Sequence, residues 1–499
     1  MRPYLTSIDT TNAVNLETIS DNSFRNCSGL TSIVIPNSVV TIGNSAFSGC
    51  PAMTSVTISN AQCSIGNSGF EGCTSLANLN IGNGVTSVGN NAFSYCSGLT
   101  SVNIPSGVTY IGESAFSNCS ALTDVVISNA PCSIGRYAFT GCTSLSGLTL
   151  GNSFTSIGEY AFGGCANITS NITIPSTVTS IGSDAFSGCS GITNITIQEG
   201  VTSIGGGAFN NTSITDLTIP NSVSGNVYSY SSSVFPKGCQ YLTGVTIGSG
   251  ITSAITDYIA ESPVSYLSLN CSTVSRKSSA QAILPFEHVI LGDNVTSLGD
   301  ESFYGASHLK TVEIGSGVTN IGYEVFSSCS SLESINIPSG VTSIGESAFG
   351  HCSGLTSIDI PDSVTSIGDS AFDHCGSLTS CTIGSGITEI GNNVFYDCWN
   401  LTSIVIPDSV TSIGDSAFEY CTSITSCTIG SGVTSVGNAI FSNTSGITHM
   451  GINSQVFIDT PKSTTNISYA KLTSLELGDS ITSVPTESPD MSLFLIWKF

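Results

Sequence analysis

Residues 30–50 read Leu-Thr-Ser-Ile-Val-Ile-Pro-Asn-Ser-Val-Val-Thr-Ile-Gly-Asn-Ser-Ala-Phe-Ser-Gly-Cys, and almost everything else in the 499-residue chain is a variant of this stretch. Its phenylalanine recurs at Phe24, Phe47, Phe70, Phe93, Phe116, Phe139 and Phe162, then at Phe186 and Phe209. It returns at Phe303, Phe326, Phe349, Phe372, Phe395, Phe418 and Phe441. The step is 23 residues, with one step of 24 ending at Phe186. A fixed period of this size is the signature of a solenoid, because each repeat is too small to bury its own apolar face and must stack on its neighbours. The same regularity means that a repeated residue does not mark a unique site.

With Leu30 as position 1, the apolar positions are 1, 4, 6, 10, 13, 17, 18 and 21. Positions 4 and 6, Ile33 and Ile35, alternate with polar neighbours, which is the period of a half-buried strand. Pro36 ends that strand because proline has no ladder donor. Positions 10 to 13 supply a second, shorter extended segment, and Gly43 allows a sharp bend. Position 15 is often Asn, Asp or Ser, as at Asn44, Asn67, Asn90 and Asp369. These residues cap helices, so one or two helical turns are expected to follow, with Ala46, Phe47 and Cys50 on one face. The fold class is a repeat solenoid with a parallel β-sheet on one side and short strands, turns and short helical turns on the other.

Position 4 runs from Ile8 to Leu475 through 21 rungs. At a strand spacing of ~4.8 Å the strand side would extend on the order of 100 Å. Residues 226–299 loosen the pattern: 226–237 lengthen a turn, and 270–285 replace the Phe/Cys half with a polar segment containing Arg276 and Lys277. Strand positions persist there at Leu267, Leu269, Val289 and Leu291. The length alone suggests about three domains, but a solenoid core grows by addition, so the expectation is a single solenoid over 1–499.

Charged residues make up only 9% of the chain, and 34 acidic against 10 basic side chains leave a net charge of −24. Phosphate backbones and anionic lipid surfaces are repelled by such a chain, so neither nucleic acid nor membrane headgroups are expected partners. A 40% hydrophobic content in strict register argues for folding rather than disorder. The first rung follows Met1 at 5–10, so no secretory signal is expected within this sequence. The apolar run at 493–497 is far shorter than the ~20 residues of a spanning helix, so no membrane insertion is expected.

Most of the 19 cysteines, among them Cys50, Cys73, Cys96, Cys119, Cys352 and Cys375, sit three residues after the repeat phenylalanine. One cysteine per rung and an odd total argue against a disulfide framework. Buried free thiols packing as small hydrophobes are expected, and no Cys-x-x-Cys spacing suggests zinc.

The pattern Leu-x-x-Ile-x-Ile-Pro-x-x-Val-x-x-Ile-Gly-x-x-Ala-Phe-x-x-Cys resembles the repeat of the BspA-like leucine-rich repeat proteins, over nearly the whole chain. Members of that family are typically surface or secreted proteins of host-associated bacteria and protists, linked with attachment to extracellular-matrix proteins and other cells. The resemblance implies an adhesin-like binding role at the cell surface, with protein ligands that include host matrix or cell-surface proteins. It brings no catalytic motif.

No nucleophile elbow, phosphate-binding loop or zinc motif appears, and no catalytic, cofactor-binding or metal-binding residue is assigned. His351 and His374 lie one period apart and, with Asp373, have the composition of a chelate. The same position holds Gly49, Tyr95 and Tyr420 elsewhere, so the pair reads as solvent-facing. Asp359, Asp362, Asp369, Asp408 and Asp415 recur too sparsely for calcium, which needs several converging oxygens, and read as solvating groups.

Strand positions 2, 3 and 5 face outward and form a continuous surface, which in leucine-rich repeat proteins is commonly the ligand face. Positions 2 and 3 are mostly Thr and Ser, as at Thr31, Ser32, Thr100, Ser101, Thr356 and Ser357. Position 5 varies among Val34, Asn103, Val126, Glu313, Asp359 and Val405. Selectivity is expected at position 5, and the leading function is non-enzymatic protein binding or adhesion through this face. An intracellular, cytoplasmic scaffold is the alternative. Ice binding by threonine columns fails on the isoleucines and charges that interrupt them.

Overall fold

The alternation at positions 4 to 6 builds one wall of every coil. In Ser32–Ile35, Ile33 and Ile35 point inward and are buried, while Ser32 and Val34 face solvent. The computed structural model describes residues 4–59, 62–129, 131–224, 228–229, 232–233, 236–276, 284–468 and 471–484. They fall into two compact units, Met1–Ile251 and Thr252–Phe499. Each carries ten strands of this kind among its described residues, from Ser32–Ile35 to Gly244–Ile247 in the first and from Tyr266–Leu269 to Ser474–Leu477 in the second. Paired strands run parallel and in repeat register, Ser32 opposite Ser55 and Ser55 opposite Asn78, so equivalent positions stack into columns. The first expected rung forms no strand, but Thr31 N–H still donates to the Thr6 carbonyl at 3.3 Å.

The second wall is made of strands only two or three residues long, yet these form the longest sheets. Nine run in parallel from Thr18–Ile19 to Ser203–Ile204, and nine from Ser253–Ile255 to Ser435–Val436. Gly43, Gly66 and Gly89 follow these strands and stack on one another. A Cβ at Gly89 would lie 2.7 Å from the carbonyl carbon of Gly66. The glycine is thus required by close approach of neighbouring backbones, not by the sharp bend the sequence suggests.

The Phe/Cys segment departs further from expectation. It is a run of turns rather than a helix, with Ser45 at φ 51° and Gly49 at φ 70°. Alternate N–H groups cross to the next coil: Ser45 to the Asn67 carbonyl at 2.8 Å, Phe47 to Gly69 at 2.7 Å and Gly49 to Glu71 at 2.7 Å. A helix is about 10 Å across and does not stack at the ~4.8 Å strand spacing unless coils fan apart; a flattened run of turns does. Position 15 therefore caps no helix. The Asn44 Oδ1 accepts the Asn67 N–H at 2.9 Å, and the Asn67 Oδ1 accepts the Asn90 N–H at 2.8 Å. The second unit continues the device with Asp369 to Asn392, Asn392 to Asp415 and Asp415 to Asn438.

Between the walls the rings of Phe47, Phe70, Phe93, Phe116, Phe139 and Phe162 stack face to face with centroids 5.1 to 5.3 Å apart. The series Phe303 to Phe441 stacks likewise in the second unit, with centroids 5.3 to 5.5 Å apart. All 19 cysteines are free, and all but the half-buried Cys381 are buried. They do more than fill space. The Cys119 thiol donates to the Phe93 carbonyl of the preceding coil at 3.2 Å, as Cys352 does to Phe326 at 3.1 Å. Where Thr444 takes the cysteine position, its hydroxyl donates to the Phe418 carbonyl at 2.8 Å.

The strand positions of the irregular stretch are buried as expected. In place of a Phe/Cys segment, a short helix, Thr256–Ile259, carries Asp257 against Arg276 at 3.2 Å, with both side chains largely buried. Arg276 also donates to the Tyr304 carbonyl at 2.5 Å, so the buried charge is paired and hydrogen-bonded. Lys277 and the apolar run 493–497 lie outside the described residues. Among the described residues no helix is long and apolar enough to cross a membrane.

Candidate binding face

The outward positions of the long strands form columns set by the parallel register. Val34 lies beside Thr57, which lies beside Asn80. Asn103, Val126 and Thr149 continue the same position, and in the second unit Ile290 pairs with Glu313, Asp359 with Thr382 and Val405 with Thr428. Thr31, Val34, Thr100, Asn103, Glu313, Thr356, Asp359 and Val405 are exposed and Val126 is half-buried. Val34 and Val405 are 52% and 60% exposed, a large apolar display for two short side chains.

The threonines of position 2 serve mainly the frame. The Thr54 hydroxyl donates to the Thr31 carbonyl at 3.2 Å, Thr123 to Thr100 at 3.0 Å and Thr356 to Glu333 at 3.1 Å. The series runs on through Thr379, Thr402, Thr425 and Thr448. Each bond ties one coil to the one before: the Thr31 and Thr356 hydroxyls donate to the preceding coil, Thr100 takes part through its carbonyl, and position 5 is what varies on top of this frame.

Position 3 holds a feature that the sequence reading passed over. Tyr266 and His288 replace the usual serine on adjacent strands, and both are exposed. His288 Nδ1 lies 2.8 Å from the Thr311 hydroxyl, which fixes the ring against the sheet. The signal was present as a break in the Ser column, inside the stretch where the repeat loosens. Farther along the same unit, Gly451 opens a shallow depression between Thr428 and Glu476, bordered by Ser426 and His449.

Of the acidic residues expected to be solvating, Asp362, Asp369, Asp408 and Asp415 accept bonds from the next coil, while Asp359 lies exposed on the outward face. The Asp362 carboxylate accepts the Ser385 N–H at 2.7 Å and the Ser385 hydroxyl at 2.9 Å. Asp293 and Asp408 do the same to Ser316 and Ser431. The backbone bond in each case holds the carboxyl below the ordinary aspartate range.

The turn edge carries a separate row of rings, half-buried at Tyr137, Tyr160, His374 and Tyr396 and exposed at His351 and Tyr420. Tyr137 and Tyr160 stack at 5.3 Å, with the Arg136 guanidinium 4.7 Å from the Tyr137 ring. In the second unit His351 and His374 stack at 4.5 Å, and His374, Tyr396 and Tyr420 follow at 5.5 Å steps. His351 is exposed and His374 half-buried, but both close on Asp373, a grouping the sequence reading set aside.

A family model described as BspA type leucine rich repeat region (6 copies) matches residues 3–123, 111–235, 224–333, 272–402 and 388–488. No curated protein matches the chain. Among solved structures, a leucine-rich repeat protein from Bacteroides ovatus ATCC 8483 is 24% identical, covering 76% of this chain and 88% of its own, with a TM-score of 0.30. A leucine rich cell surface protein from Faecalibacterium prausnitzii A2-165 is 26% identical, covering 92% of this chain and 86% of its own, with a TM-score of 0.27. With the family model spanning nearly every coil, the chain belongs to the BspA-type leucine-rich repeat family.

Proposed function

We propose that this chain is a non-catalytic binding protein of the cell-surface type, which holds protein ligands, host matrix or cell-surface proteins among them, on the outward face of its long strands. The observation that carries this reading is the division of labour on that face. Position 2 threonines are committed to coil-to-coil bonds, while position 5 changes from Val34 to Asn103, Glu313, Asp359 and Val405. Energetically dominant interface contacts concentrate on aromatic and arginine anchors, and Tyr266 is an exposed aromatic of the face that fits the part. Contacts elsewhere are small, so affinity accumulates over many coils.

The test is surface binding of the purified full chain to a panel of matrix proteins, run beside a hydrolase and transferase screen. Saturable binding without turnover is the expected result. Specific turnover abolished by one substitution overturns the reading, and absence of binding to any surface favours the scaffold alternative.

A further inference from the structure

We propose that His351, Asp373 and His374 form a binding site for a divalent transition metal of the zinc type. The three residues come from two successive coils of one unit, at positions 19 and 20 of the repeat. Asp373 Oδ2 lies 3.1 Å from His374 Nδ1 and 3.8 Å from His351 Nε2, and one ligand atom from each residue falls within 4.8 Å of the others. Donors bound at about 2.0–2.2 Å to a tetrahedral ion sit roughly 3.3–3.6 Å apart, so these spacings bracket the requirement without a change of coil position. Two imidazoles and one carboxylate suit zinc, nickel or copper(II) better than calcium or magnesium, which favour all-oxygen sets.

Three further observations distinguish this cluster from a chance surface group. Asp373 Oδ1 is buried and without a hydrogen-bond partner, so the carboxylate retains unused donor capacity. That oxygen occupies the space over Gly350, where a Cβ would collide with it. The same position is Ser48, Glu71, Ser94 or Thr140 in other coils and glycine again at Gly163; at Gly350 the absent Cβ leaves the space that the Asp373 carboxylate fills. Behind His374, its Nε2 faces the Asp397 carboxylate at 3.8 Å, the side from which a carboxylate orients a ligating imidazole. The His351 and His374 side chains are 56% and 39% exposed, so the remaining coordination position opens to solvent.

The test is calorimetric titration of the full chain with Zn²⁺, with the Co²⁺ visible spectrum as a second measurement. One equivalent is expected, with weak d–d bands of nitrogen and oxygen donors and no intense near-ultraviolet thiolate band. His351→Ala/His374→Ala should lose that equivalent while keeping the circular dichroism spectrum of the parent. Gly350→Ser should weaken it with both histidines in place, and Asp397→Asn should cost about tenfold in affinity. Absence of binding by the parent, an unchanged isotherm in the double variant, or a thiolate-type Co²⁺ spectrum overturns the proposal.

Discussion

Phe116 shows how one residue type comes to recur in every coil: its ring is stacked between Phe93 and Phe139, 5.2 Å from each, and no solvent reaches it. Phe116→Ala opens a cavity between two rigid coils and should cost about 3–5 kcal/mol in urea unfolding. Cys119→Ala keeps most of the volume but loses the thiol bond to Phe93, for about 1 kcal/mol. Cys119→Ser should be milder than expected for burying a hydroxyl, because Thr444 already makes that bond in another coil. Equal losses for Ala and Ser would show that the thiol serves only as filler. Burial pushes the Cys119 thiol up to about 12, so it should also resist thiol reagents in the native protein.

At the same scale, Asp293, Asp362 and Asp408 link stability to pH. Their folded carboxyls lie below the ordinary value, so their contribution is fully present above about pH 4 and is lost as pH falls through the lowered folded value. The Asn221 side chain accepts the equivalent bond from Ser249 at 2.9 Å, so asparagine is a workable substitute. Asp293→Asn/Asp362→Asn/Asp408→Asn should match the parent near neutrality and lose less of its urea midpoint between pH 6 and pH 3. Identical acid sensitivity would show that these bonds carry no linkage.

Among the elements, the strands and both ladders were legible in the sequence because period-2 alternation and the 23-residue step report burial directly. The Phe/Cys segment was not. Asn at position 15 followed by Ala-Phe looks like a cap and a helical face, and the same residues also suit an amide ladder between coils, which a local reading does not see. The glycine column was misread for a related reason: Gly89 answers to the backbone of Gly66, 23 residues away, rather than to its own torsion angle. Gly89→Ala should therefore destabilise by about 1–3 kcal/mol, the usual range for overpacking, although alanine suits its backbone conformation. A neutral result would show that the coils separate more easily than the stacking implies.

For the whole molecule, the fold followed from repetition, and the candidate face only in part. Outward positions were predictable from alternation, but Tyr266 and His288 lie where the repeat loosens, and the His351, Asp373 and His374 cluster depends on stacking that a single repeat does not reveal. We propose, as the repeat numbering implies, that both units belong to one solenoid over residues 1–499. Residues 1–251 expressed alone would then lack a terminal cap and should aggregate; a soluble monomer with a sharp unfolding transition would contradict this.

The central claim is that ligands sit on the outward strand face. Its most direct test compares binding of the parent with a combined Val34→Asp/Tyr266→Ala/His288→Ala/Val405→Asp variant and with a turn-edge Tyr137→Ala/Tyr160→Ala variant, against whichever matrix protein the panel identifies. Val34→Asp, His288→Ala and Val405→Asp alone should each weaken binding a few-fold, Tyr266→Ala should weaken it more than any of these, and the combined set should cost more than about tenfold, or 1.4 kcal/mol. The turn-edge variant should bind as the parent does. Full binding by the combined face variant, with loss in the turn-edge variant, would contradict the account.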